Sequence, residues 1–122
     1  MNDRPGVESS DPPEFEALTG LLDDGYARAI LRETSTEAMS ASELSERCEA
    51  SLPTIYRRLD RLESHGFVVE RTELDPDGNH YNVYEARLDR VEITLGDGEF
   101  EFEIDYREDV ADKFTRLWEG IR

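Results

Sequence analysis

Lysine is almost absent from this chain of 122 residues, in which 14 basic side chains stand against 30 acidic ones. Lys113 is the one lysine, and every other basic residue is an arginine. A net charge of -16 is unusual for a nucleic-acid-binding protein, which tends to be basic. It is typical of proteins that work in molar salt, where the Debye length falls to about 3 Å and self-repulsion is screened. We therefore interpret the charge as the mark of a halophilic habitat.

Several other features are missing, and each absence excludes a class of protein. The single cysteine, Cys48, excludes an intramolecular disulfide and a zinc site built from several cysteines. No apolar stretch approaches the ~20 residues of a membrane span, and the N-terminus lacks the apolar core of a signal peptide. His65 and His80 have no evident nucleophile beside them, and no phosphate-binding glycine motif occurs. We expect a cytoplasmic protein that has no membrane contact, is not an enzyme, and carries neither a cofactor nor a metal ion.

Helical periodicity marks the first half of the chain, after a polar stretch over residues 1–10 that predicts a flexible tail. Four helices are expected, each opening at a capping residue or a break: Asp11, Gly25, Ser40 and Ser51. Pro12 and Pro53 lie in the first turns of the first and fourth helices, where a missing N–H costs nothing. Gly66 ends the fourth helix.

After Gly66 the apolar period changes from 3.6 to 2 residues, which predicts strands. Residues 67–74 and 81–86 flank a turn at 75–79, and residues 91–95 and 100–106 flank a second turn at 96–98, so two hairpins are expected. A last helix, capped by Asp105, is predicted to carry one apolar stripe.

Two helices joined by a tight turn and followed by a hairpin are the arrangement of a winged helix-turn-helix. We predict an α+β fold in one compact domain: the DNA-binding winged helix over residues 11–88, then a second hairpin and a C-terminal dimerisation helix over 89–122. The N- and C-terminal helices are expected to form a twofold interface from Phe15, Leu18, Leu22, Val110, Phe114, Leu117, Trp118 and Ile121. The alternative is a last helix that only covers its own hairpin.

The fourth helix is the candidate recognition helix. At 100° per residue, Ile55, Leu59 and Leu62 face the core, and polar residues fall on the other side. Arg57 has the reach to hold guanine O6 and N7, whereas Arg58, near the buried edge, is expected to pair with an acid. The predicted DNA-binding residues are Ser51, Pro53, Thr54, Tyr56, Arg57, Arg61, Arg71, Asn79 and His80. Only residues 51–72 are net positive, with four arginines against three carboxylates; the alternative is a solvated face on which these charges balance.

Residues 40–88 resemble archaeal winged-helix regulators of the ArsR, PadR and MarR-like group. The resemblance lies in SEL at 42–44, TIYRRL at 54–59, LESHGFV at 62–68 and the aromatic strand at 81–86. It implies a homodimer that binds double-stranded DNA at a palindromic operator and regulates stress-response genes. Metal-sensing members carry paired cysteines on the third helix, a motif that the lone Cys48 does not match.

The sequence leaves two hypotheses for the function open. One is a dimeric, sequence-specific DNA-binding regulator, and the other is a winged-helix module that binds a protein through the same face. The role of Cys48 is a separate question, because it is either structural or a redox sensor; neighbouring Glu46 and Glu49 oppose the thiolate that a sensor needs. The acids Asp75 and Asp77 suit potassium or another salt cation held between the wing and DNA.

Overall fold

A computed structural model describes residues 13–108. The predicted tail, the cap at Asp11 and the apolar stripe of the last helix lie outside these residues. Within them, the chain forms α1 (Pro13–Asp23), α2 (Gly25–Thr34), α3 (Ala41–Arg47), α4 (Leu52–Ser64), β1 (Val68–Leu74), β2 (His80–Ala86), β3 (Leu88–Gly96) and β4 (Glu99–Tyr106). None of the described helices is both long enough and apolar enough to span a membrane.

The predicted starts of α3 and α4 are confirmed. The Ser40 hydroxyl accepts the Glu43 backbone N–H at 3.2 Å, and the Glu43 carboxylate accepts the Ser40 N–H at 3.0 Å, which completes a capping box. The Ser51 hydroxyl accepts the Thr54 N–H at 3.3 Å. At the other end of α4, Gly66 has a φ of 76°, a left-handed conformation that favours glycine.

Both predicted hairpins form, as two separate antiparallel pairs among the described strands. The wing, β1–β2, runs in register from Val68 opposite Ala86 to Leu74 opposite His80. One pairing was not predicted: Met39 exchanges backbone hydrogen bonds with Tyr84, at 3.0 and 2.7 Å, and so extends the wing root toward α3. A bridge of one residue has no sequence period that could reveal it.

The predicted cap at Asp105 is wrong. Asp105 lies inside β4, opposite Arg90, and the strand continues through Tyr106. The second hairpin also begins earlier than the alternation predicted, because Arg87 and Leu88 both donate backbone N–H groups to the Phe67 carbonyl. That contact fixes the root of the hairpin to the loop after α4 and brings Leu88 into β3.

The core lies between the four helices and the wing root. Its largest members are at most 1% exposed: Leu18, Leu21, Ile30, Met39, Leu44, Ile55, Leu59, Leu62 and Phe67. The second hairpin adds Val91, Phe102 and Ile104, which pack against this core from one side. Helix α4 is therefore fixed by its own buried stripe, while its other face remains at the surface.

Candidate nucleic-acid interface

Helix α4 presents two different faces, as its periodicity predicts. Ile55, Leu59 and Leu62 are buried, each at most 1% exposed. Pro53 and Arg57 lie on the exposed face, together with Asp60 and Arg61. The division gives the helix a fixed buried side and a polar surface long enough to lie in a DNA major groove.

The first turn of α4 joins three of the predicted DNA-binding residues. The Ser51 hydroxyl donates to Thr54 Oγ1 at 3.0 Å, and Arg57 Nη2 donates to the same oxygen at 3.4 Å. Within residues 13–108, the exposed Arg57 guanidinium forms no ion pair. Among the residues that the structure describes, one weak hydrogen bond to Thr54 holds this cation, and so it is available to a base or a phosphate.

Arg58 has the internal role that its place on the helix predicts. Its Nε donates to Asp24 Oδ2 at 2.9 Å, and its guanidinium lies 5.6 Å from the centre of the Tyr26 ring. The next arginine, Arg61, approaches the same oxygen at 3.9 Å while its side chain stays 47% exposed. Arg58 is thus held by contacts within the protein, whereas Arg61 has one weak contact with Asp24 and is otherwise exposed to solvent.

Arg71, predicted to bind a phosphate, is already paired on the wing. Its guanidinium donates to Glu85 across the β1–β2 ladder and to Glu73 at 3.3 Å on its own strand. The nearby charge of Glu85 is the main cause that raises the pKa of Arg71. Two carboxylates surround this cation, so a phosphate would have to compete with both for it.

The wing tip is built around Asp75. Its Oδ1 accepts the backbone N–H groups of Asp77 at 3.0 Å and Asn79 at 2.8 Å, which closes the turn before His80 opens β2. Asn79 and His80 therefore lie at the wing end farthest from the root. One oxygen of Asp75 therefore holds the turn together, a structural role beside the cation binding that its charge predicts.

Tyr56 lies in a crevice rather than on the outer ridge that carries Arg57. It is 49% exposed and lines an open cavity of about 360 Å³ between α4, the start of α3 and the wing. On the opposite wall, the Tyr84 hydroxyl donates to Glu70 at 3.0 Å. Burial and the Glu70 carboxylate together raise the pKa of Tyr84, so its hydroxyl remains a hydrogen-bond donor. The alternation of β2 did not reveal that Tyr84 faces the recognition helix.

Cys48 follows α3 and is half-buried beside α2. Burial raises the pKa of its thiol, and the charge of Glu33 acts in the same direction. A redox-sensing cysteine needs the opposite shift, because the thiolate is the reactive form. The structure therefore favours the structural reading of this residue.

The residues predicted for the dimer interface are placed only in part. Leu18 is buried in the core, and Leu22 packs against it. The Phe15 ring stacks on Phe100 at 5.5 Å and lies 5.8 Å from Phe102. These three helical residues thus pack within the chain itself. The stripe of the predicted last helix lies outside the described residues, so the interface stays a prediction.

Comparison with known proteins agrees with this geometry. Residues 22–71 match a family model described as a helix-turn-helix domain, a segment that runs from the end of α1 through all of α2, α3 and α4 into β1. A search of curated proteins found no match. The match, the exposed face of α4 and the antiparallel hairpin after it define an α+β winged helix-turn-helix. The presence of a helix-turn-helix domain indicates that this chain is a DNA-binding transcription regulator.

Proposed function

We propose that this chain is a dimeric, sequence-specific DNA-binding regulator that lays α4 in the major groove and the wing against the neighbouring backbone. One observation carries the proposal. Arg57 is exposed on the recognition face of α4, and within residues 13–108 no carboxylate neutralises it. A guanidinium so placed has the geometry to read guanine through two hydrogen bonds.

The other predicted contacts take roles according to their place in the fold. Thr54 and Tyr56 stand beside Arg57 in the first turns of α4, where a recognition helix meets base edges. Ser51 caps the helix, so phosphate binding is favoured there by the positive end of the helix dipole. The remaining contacts are to the DNA backbone: Pro53 in the first turn of α4, Arg61 farther along the helix, and Arg71, Asn79 and His80 on the wing.

The proposed dimer is supported by apolar surface that the described residues leave uncovered. On one face of the second hairpin, Ile93 is 44% exposed, Leu95 65% and Phe100 44%. An exposed apolar patch of this kind favours a partner surface. We infer that the stripe at Val110, Phe114, Leu117, Trp118 and Ile121 and this face together join two copies. A twofold dimer would then place two α4 helices in successive major grooves about 34 Å apart, on a palindromic operator.

The setting that we propose is a halophilic archaeon in which the protein regulates stress-response genes, as the sequence resemblance implies. Its net charge of -16 supports the habitat. Potassium or another salt cation would then lie between the acidic wing and the phosphates, where direct contact is otherwise repulsive.

The test starts from duplex DNA of random sequence, from which the wild-type protein selects a consensus in concentrated potassium chloride. Arg57→Ala should weaken binding to that consensus by about 5- to 100-fold, the worth of one bidentate base contact. Arg90→Ala is the matched control, because it removes an exposed arginine from the second hairpin, and its affinity should equal that of the wild type. Thermal unfolding checks that both variants fold. Failure of the wild type to select any sequence would contradict the proposal.

A protein-binding module is the second candidate, favoured by the acidic surface and by the pairing of Arg71 with two carboxylates. The same selection separates the two functions. A module of this kind would select no consensus from the random pool, and Arg57→Ala would not change its affinity for that pool.

A further inference from the structure

Asp24 joins three parts of the molecule at one carboxylate. It is the single residue between α1 and α2, and its Oδ1 caps α2 by accepting the Ala27 N–H at 2.9 Å. Its Oδ2 accepts Arg58 Nε at 2.9 Å, and Arg61 Nη1 approaches that oxygen at 3.9 Å. The junction of the first two helices is thus bound directly to the recognition helix.

Partial burial makes this ion pair stronger than the usual surface pair. The Asp24 side chain is 15% exposed and that of Arg58 23%, so solvent and salt screen their attraction less than that of an exposed pair. Burial acts to raise the pKa of the Asp24 carboxyl, but the bonds from the Ala27 N–H and Arg58 outweigh it and hold the pKa below its usual value. Asp24 therefore remains ionised at neutral pH.

The junction is also held on its other side. Arg28 Nη1 donates to the Leu22 carbonyl at 2.8 Å, which closes the end of α1 onto α2. Through Phe15, α1 stacks on Phe100 of the second hairpin. A continuous set of contacts therefore runs from that hairpin through α1 and Asp24 to α4.

Asp24 reduces the number of arginines on α4 that are available to DNA. Of the three arginines on the helix, it engages Arg58 fully and Arg61 in part, and Arg57 alone is left without a carboxylate partner among the described residues. Binding to phosphates depends on how many cations are available and is independent of sequence, whereas base contacts give specificity. When Asp24 makes arginines unavailable to phosphates, non-specific binding to DNA is therefore weakened more than specific binding.

We propose that Asp24 is a positioning residue that raises the sequence specificity of DNA binding without touching DNA, by fixing the orientation of α4, withholding Arg58 from phosphates and engaging Arg61 in part. The inference rests on the proposed function. It concerns a ratio of two affinities, so its test differs from the test of DNA binding itself.

Asp24→Asn is the decisive variant, because asparagine caps helices as well as aspartate does but carries no charge. We expect its affinity for random duplex DNA to rise about fivefold, and the salt dependence of that affinity to steepen by about one phosphate contact. Affinity for the selected operator should stay level or fall. The ratio of specific to non-specific affinity should therefore drop about fivefold.

Asp23→Asn is the matched control, because it removes the same charge one residue earlier, from an exposed side chain outside the Arg58 contact. Its ratio should equal that of the wild type. Equal effects of the two variants, or an unchanged ratio in Asp24→Asn, would overturn the inference. If Asp24→Asn unfolds, Asp24→Ser, which retains a capping oxygen, takes its place under the same criterion. A wild type that selects no operator would instead count against the proposed function.

Discussion

The wing and the second hairpin have the same secondary structure but opposite surfaces. In the wing, the apolar residues Val83, Tyr84 and Ala86 are buried at the root. The outer part of the wing carries polar pairs across the strands, such as Thr72 with Asn82 at 3.2 Å. A hairpin of this kind is held by its root and exposes groups that suit a polar partner.

The second hairpin instead has one apolar face and one acidic face along its whole length. On one face, apolar residues stand opposite each other up to the tip, as in the pairs Ile93–Phe102 and Leu95–Phe100. On the other face, Glu92 stands opposite Glu103, a pairing of like charges that destabilises a ladder. Near the tip, Phe15 of α1 stacks on Phe100, but Ile93 and Leu95 stay 44% and 65% exposed, so among the described residues this hairpin is the one that needs an apolar partner.

Position in the chain does not distinguish the two hairpins as candidates for contact with DNA. Both are acidic, and each exposes a large apolar residue close to its tip, Leu74 at 63% and Leu95 at 65%. The two hairpins differ in how far the apolar face extends. It runs from root to tip in the second hairpin, whereas polar pairs interrupt it in the outer part of the wing. We therefore assign the wing to DNA and the second hairpin to the dimer, and the following experiments test that division.

The largest expected effect concerns salt. Because long-range repulsion from the acidic chain is screened first and contacts by arginine persist, operator affinity should hold or rise as potassium chloride increases from 0.5 to 2 M. A basic repressor that neutralises about six phosphates would lose roughly a thousandfold over that range. Fluorescence anisotropy at constant temperature measures the difference. A steep and monotonic loss of affinity would contradict the expectation.

The salt effect also distinguishes the two hairpins. The double variant Asp75→Asn/Asp77→Asn should bind better at low salt and lose affinity more steeply as potassium rises, because the wing would then hold no cation against the phosphates. The control, Glu101→Gln/Glu103→Gln, removes two charges from the second hairpin. If both variants shift the salt dependence equally, the effect belongs to net charge and not to the wing.

An intermediate effect is expected at the two hairpin tips. Leu95→Glu places a charge on the proposed dimer surface and should weaken self-association by about 10-fold or more, since burying an unpaired charge is costly. Leu74→Glu makes the same change on the wing at nearly equal exposure and should leave the dimer intact. Sedimentation velocity over a concentration series measures both. A chain that ends before Phe114 should likewise be monomeric or unfolded, and a folded dimer after that truncation would contradict the assignment.

Much of the fold was predictable because its signals are local. The capping box at Ser40, the cap at Ser51 and the stop at Gly66 depend on residues within one helical turn, and the structure confirms all three. Alternation likewise predicted both hairpins. The cap assigned to Asp105 was wrong because β4 stays paired with β3 through Asp105 and Tyr106, opposite Arg90 and Leu88, and no pattern within the segment itself encodes that pairing.

The candidate site was less predictable, since its chemistry depends on contacts between distant segments. Helical geometry placed Arg57 and Arg58 on different faces, but it did not identify Asp24, 34 positions away, as the partner of Arg58. Charge alone made Arg71 resemble a phosphate ligand. Its partner Glu73 is a neighbour on the same strand, but its partner Glu85 follows from strand register, which brings Glu85 near Arg71 only once the hairpin is formed.

The smallest expected effect compares one ion pair on each hairpin. On the wing, Glu85 holds Arg71, and on the second hairpin, Glu92 holds Arg90 at 2.8 Å. Glu85→Gln removes the carboxylate whose charge contributes most to the raised pKa of Arg71. If the wing lies against DNA, the Arg71 guanidinium, then paired with Glu73 alone among the described residues, should bind a phosphate and raise operator affinity by about two- to fivefold, the scale of one exposed charge pair.

Glu92→Gln makes the matching change on the hairpin assigned to the dimer. It removes one negative charge and releases one arginine, so any general effect of net charge appears equally in both variants. We expect its operator affinity to stay within twofold of the wild-type value, since one exposed ion pair is worth at most about 1 kcal/mol even where it is in contact. Anisotropy titrations at one salt concentration compare the two. A gain in Glu92→Gln equal to that in Glu85→Gln would mean that proximity to DNA does not distinguish the hairpins, and the assignment of the wing would then be lost.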